Sequence, residues 1–147
     1  MKNLLFIIAL FFTVSFMTTN ESSAQCNTEL YTNKSLASLP NGYTFVKSYR
    51  IDGRGGTRKK IEYTCVFSKD TNYNIQVKSR DGATNIGIVA SLYDNKRNRL
   101  LSSYTPASNK VYSGWTYKCS ATGIYYLTFT FKNSTHHCGA AVLGFRR

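Results

Sequence analysis

Four cysteines, two adjacent histidines and clustered cations are the side chains with chemistry to offer in this 147-residue chain. His136-His137-Cys138 is where a nucleophile and a base are sequence neighbours, and a Cys–His pair can activate a thiolate. Neighbours on a strand point to opposite faces, however, and a cysteine held in a disulfide has no thiolate to give. No G-x-S-x-G elbow supplies an alternative nucleophile. Beyond residue 24 the acids are Glu29, Asp52, Glu62, Asp70, Asp81 and Asp94, too scattered to nominate a glycosidase pair or a calcium cage. No two cysteines have C-x-x-C spacing, and imidazole comes from His136 and His137 alone, which argues against zinc. We therefore expect no catalytic residue, no metal site, no cofactor and no enzymatic activity.

The cations are better organised than the acids. Gly53-Arg54-Gly55-Gly56-Thr57-Arg58-Lys59-Lys60 is a glycine-containing loop with four positive charges, able to grip an anion through backbone amides and side chains together. It lacks the order of a phosphate-binding P-loop. A second cluster, Lys96-Arg97-Asn98-Arg99, occupies another turn, and Lys78, Arg80, Arg146 and Arg147 add to the excess. We take Arg54, Arg58, Lys59, Lys60, Lys96, Arg97 and Arg99 as candidate contacts for an anionic partner. The alternative is a solvated hairpin whose charges discourage edge-to-edge aggregation. The formal charge is +12, and it survives loss of residues 1–24, which removes one Lys and one Glu.

Those residues, 1–24, read as a secretory signal peptide. Lys2 precedes an apolar run from Leu4 to about Met17, too short to span a bilayer, and Ser22-Ser23-Ala24 supplies small residues for cleavage. Export places Cys26, Cys65, Cys119 and Cys138 where disulfides persist. Three connectivities are open. We expect Cys119–Cys138, flanking one strand, and Cys26–Cys65, pinning the N-terminal segment.

The elements that must position these groups follow a period of two. Residues 29–38 form a helical turn or two before Pro40-Asn41-Gly42. Tyr43, Phe45, Tyr49 and Ile51 then share a face, with Lys47 the exception. Ile61, Tyr63, Cys65 and Phe67 alternate likewise, as do Tyr73, Ile75 and Val77. Residues 86–93 are apolar on both faces at first, as a central strand would be. A short strand near 99–104 follows, then Trp115, Tyr117 and Cys119, then Tyr125, Leu127, Phe129 and Phe131, and a last strand from Cys138 to Phe145. Asp52-Gly53, Asp81-Gly82, Asp94-Asn95, Thr122-Gly123 and Asn133-Ser134 mark turns between them. About eight such strands predict one all-β domain over residues 25–147: a disulfide-stabilised, two-sheet antiparallel sandwich or jelly roll.

Ala90-Ser91-Leu92-Tyr93-Asp94-Asn95, Arg99-Leu100-Leu101-Ser102-Ser103 and Thr122-Gly123-Ile124-Tyr125-Tyr126-Leu127, with the final apolar strand, resemble the bacterial pre-peptidase C-terminal domain over residues 60–146. The resemblance implies a small β-sandwich serving binding or targeting. The chain departs from it in lacking an attached enzyme and in adding cysteines.

Together these features imply an exported, non-enzymatic accessory protein, periplasmic or at the cell surface. Its expected partner is an envelope or surface protein complex, or an anionic polysaccharide or lipid surface. Nucleic acid is not expected, because export separates the chain from it and no nucleic-acid motif accompanies the charge; nor is a transmembrane segment after residue 24. A carbohydrate-binding module is the second reading. A small Cys/His enzyme, with a free thiol at Cys138, is the third.

Overall fold

The computed structural model describes residues 26–81 and 84–147. The expected signal segment, and Gly82 of one expected turn, lie outside the described residues. A helix α1 (Thr28–Ala37) is followed by β1 (Thr44–Asp52), a 3-10 turn (Arg54–Gly56), β2 (Lys60–Phe67), β3 (Asn72–Ser79), β4 (Gly87–Tyr93) and β5 (Arg99–Ser102). Then come β6 (Tyr104–Thr105), a second 3-10 turn (Pro106–Ser108), β7 (Lys110–Val111), β8 (Gly114–Lys118), β9 (Gly123–Lys132) and β10 (Cys138–Arg146). One antiparallel sheet runs β1-β10-β3-β8 and the other β2-β9-β4-β5, with β6 and β7 pairing separately. Apart from the β4–β5 pair, successive strands of the two four-stranded sheets alternate between them, as in a sandwich. The expected fold class is the observed one, and β4 is internal to its sheet as its apolar run predicts.

The period-two pattern builds the core. Ile61, Cys65 and Phe67 of β2 face Tyr73, Ile75 and Val77 of β3 and Ala141 and Leu143 of β10 across the interior. Phe67 stacks on Tyr73 at 3.9 Å between ring centroids and on Tyr125 at 5.1 Å. Phe67, Phe129, Ile75 and Leu127 are fully buried, each contributing about 1.5–3 kcal/mol of apolar transfer. Trp115 is buried too, its indole N–H donating to the Ala90 carbonyl at 3.1 Å.

On the outer face of the first sheet, Ala140, Val142 and Gly144 of β10 are small enough to receive α1. Ser35 is wholly buried there and donates to the Ala140 carbonyl at 3.1 Å. A Cβ on Gly144 would come within 2.8 Å of the Leu39 side chain.

Three expectations are corrected. First, the pairing of β1 with β10 shifts between Phe45 and Lys47, so Val46 is an extra, bulged residue. Phe45 therefore turns outward to 48% exposure, while Lys47 keeps the inward phase of Tyr49 and Ile51. Second, the segment 53–59, whose alternative reading is a solvated hairpin, is not one, since it carries the chain from one sheet to the other, as does the turn at 133–137. Third, the disulfide is Cys26–Cys138, with 5.4 Å between Cα atoms, while Cys65 and Cys119 are buried free thiols. Cys119 follows Lys118, whose partner Asn72 pairs with Arg146 at the far end of β10 from Cys138. The length of β10 keeps Cys119 and Cys138 roughly 26 Å apart at about 3.3 Å per residue, far beyond bridging reach. Cys65 faces the interior from the middle of β2, whereas the Cys26 sulfur lies by the Ile51 carbonyl at the end of β1. That end is where Cys138 pairs with Asp52, so the observed bridge joins neighbours.

Candidate functional site

The loop after β1 is shaped by one carboxylate and two glycines. Asp52 accepts from the Arg54 backbone N–H at 2.9 Å and from the Arg50 guanidinium at 2.9 Å. These two contacts, the backbone one foremost, hold its carboxyl below the usual range. The backbone then turns through positive φ at Arg54, Gly55 and Gly56. Gly53 and Gly56 let the loop lie on its neighbours: a Cβ on Gly53 would come within 2.7 Å of the Phe131 ring, and one on Gly56 within 2.9 Å of the His137 imidazole. His137 meets Phe131 edge-on at 5.0 Å, and its carbonyl accepts from the Gly53 N–H at 2.7 Å. His137 is thus the floor of a basic loop.

The turn after β4 uses the same device. Asp94 accepts from the backbone N–H groups of Lys96 and Asn98 at 2.9 and 2.8 Å and from the Asn98 side chain at 2.9 Å. These contacts, the Asn98 side chain first, lower its pKa. Arg97, at positive φ, lies with its guanidinium 3.5 Å from the centroid of the Tyr126 ring and donates to Glu62 at 2.7 Å. Lys60 reaches the other oxygen of Glu62 at 3.0 Å. Arg97 first and Lys60 second keep the Glu62 carboxyl below its ordinary range.

The candidate cations therefore divide. Lys60 and Arg97 meet through Glu62 on the outer face of the second sheet. Arg54, Arg58 and Lys59 lie at the end of that sheet where Lys60 pairs with Thr130. Lys96 lies beyond Tyr93 and Tyr126, and Arg99 pairs with Tyr93, on the opposite side of the Glu62 bridge. Glu62 and Tyr126 escaped sequence reasoning, although both occupy outward phases of strands whose inward phases are apolar.

The remaining chemistry is structural. Cys138 is oxidised, so His136-His137-Cys138 has no thiolate. Burial pushes the Cys65 thiol up to about 11, so it is protonated at neutral pH. The Cys119 sulfur is wholly buried, 3.1 Å from the Ala121 carbonyl. Among the described residues no three His, Cys, Asp or Glu side chains gather as metal ligands, and no helix is long and apolar enough to cross a membrane.

No known family profile matches the chain, and no curated protein does. Among solved structures, the chain is similar to a periplasmic inhibitor of g-type lysozyme from Aeromonas hydrophila, at 10% identity and a TM-score of 0.41 over 71% of this chain and 85% of that one. It is also similar to the pre-peptidase C-terminal domain of a collagenase from Bacillus anthracis, at 19% identity and a TM-score of 0.41 over 71% of this chain and 89% of that one.

Proposed function

We propose that the chain is an exported, non-enzymatic binding protein that captures an anionic partner of the envelope or cell surface through its basic loops. The observation that carries this reading is how the carboxylates are spent. Asp52 and Asp94 organise the two basic turns from within, Asp81 accepts from Ser134, and Glu62 bridges two cations. Among the described residues only Arg50, Lys60 and Arg97 have carboxylate partners, so most of the +12 faces outward. Clustered unpaired cations attract polyanions and speed encounter at low salt. The Cys26–Cys138 bridge supports export, since such bonds persist in oxidising compartments. The carbohydrate reading has less behind it: Trp115 is buried and Tyr126 lies under Arg97.

Retention on immobilised heparin and on phosphatidylglycerol vesicles tests the proposal. Arg54→Glu/Arg58→Glu/Lys59→Glu and Lys96→Glu/Arg99→Glu, made separately, are expected to lower the salt needed for elution, with the larger effect marking the dominant loop. Elution unchanged in both variants would refute capture through these loops.

A further inference from the structure

The bulge in β1 does more than break a pattern. β1 and β2 are edge strands on the same side of the sandwich, and between them lies a cavity of about 350 Å³ that reaches Tyr49, Tyr73 and Leu143. That volume falls at the small end of the range that binds discrete ligands, about 300–1,000 Å³. Val46 and Val66 stand on its rim at 46% and 70% exposure, and Cys65, Leu143 and Phe145 form apolar walls.

Its polar groups are only partly spent. Three core tyrosines are satisfied by backbone: Tyr63 donates to the Arg50 carbonyl at 2.6 Å, Tyr125 donates to the Ala121 carbonyl at 2.7 Å, and Tyr73 accepts from the Ser68 N–H at 3.0 Å. Tyr49 is 2% exposed, and no hydrogen bond is made by its hydroxyl among the described residues. Since no fully buried side-chain polar atom there lacks a partner, that hydroxyl opens onto accessible space, and Tyr49 lines this cavity. Lys47, in the same phase as Tyr49, sits with its ammonium 5.8 Å from the Tyr49 ring centroid and has no carboxylate partner among the described residues. Arg147 is a second cation in the lining, and no Asp or Glu is present.

We propose that this cavity binds an amphipathic carboxylate with the shape of a medium-chain fatty acid, its hydrocarbon tail against Leu143, Phe145 and Cys65 and its carboxylate held by Lys47 and the Tyr49 hydroxyl. An apolar pocket with a few convergent polar groups is the general form of such sites. Charge complementarity selects the headgroup, because a cationic or neutral one would leave Lys47 unpaired. The competing role for Lys47 is an inward-pointing charge that guards a sheet edge, which needs no ligand.

Titration of the full chain with decanoate below its micellar concentration, followed by backbone amide shifts and calorimetry, separates the two. Decanoate is expected to shift amides of β1, β2 and β10 around the cavity, with Lys47→Met weakening binding about tenfold or more, Lys47→Arg retaining it and Tyr49→Phe weakening it several-fold. Decanol, lacking the charge, is expected to bind more weakly and to ignore Lys47→Met. Absence of binding, shifts confined to the loops at 54–59 and 96–99, or equal affinity in Lys47→Met would each overturn the proposal.

Discussion

Removing the Cys26–Cys138 bridge tests how the N-terminal segment is held. The bridge spans 112 residues, so the chain-entropy relation assigns it about 5 kcal/mol against the unfolded state at 25 °C. Domain stabilities are about 5–15 kcal/mol, so loss of the bond leaves a protein near its threshold. Two native features oppose collapse of the helix on reduction. Ser35 keeps its buried hydrogen bond to Ala140, worth about 1 kcal/mol, and Leu39 keeps its contact over Gly144. The expected outcome for Cys26→Ser/Cys138→Ser is a folded sandwich whose urea midpoint falls by about 2.5 M, taking a slope near 2 kcal/mol per M. Amide exchange is expected to quicken first in α1, because the helix loses its covalent anchor while both sheets keep their ladders. Thiol titration of the wild type after denaturation without reductant should give two groups, assigned by peptide mapping to Cys65 and Cys119. A bridge mapped to Cys119–Cys138, or a midpoint unmoved by the double substitution, would refute the reasoning.

Two further outcomes follow from the basic turns. Gly53→Ala is expected to cost about 1–3 kcal/mol by overpacking against Phe131 and His137, whereas Gly55→Ala, with φ of 63° and nothing within 4 Å of a new Cβ, costs about 1 kcal/mol of backbone strain; equal melting shifts would contradict this packing. Asp52 and Glu62 have folded pKa values below the ordinary values of about 3.9 and 4.3, so their stabilisation is complete above that range and is lost as pH falls through the lowered values. Both pairs are largely exposed, worth about 0.2–1 kcal/mol each, so Asp52→Asn should flatten the acid limb of a stability–pH curve only slightly, and high salt should do the same; an unchanged limb would remove Asp52 from the account.

Much of this molecule was legible because its core obeys one rule. Every strand from β2 to β10 that the alternation places is present, since a sheet with one buried face forces inward residues to be apolar. What failed was long-range. Cysteine pairing depends on which strand ends coincide, and spacing along the chain says nothing of that: Cys26 and Cys138 are the most distant pair in sequence and the one that touches. The division of the basic loops between opposite sides of the Glu62 bridge is likewise set by strand order. One local signal was present and misread. Lys47 breaks an otherwise apolar phase that Tyr49 and Ile51 continue, and the inserted Val46 takes Phe45 out of that phase. A cation in a core-facing phase is costly unless something relieves it. Here the relief is an open edge: Lys47 stays exposed beside a cavity at the rim of the sandwich. The open edge therefore couples fold to chemistry. It leaves a cation with no carboxylate partner beside a tyrosine hydroxyl that makes no hydrogen bond among the described residues, separately from the two basic loops.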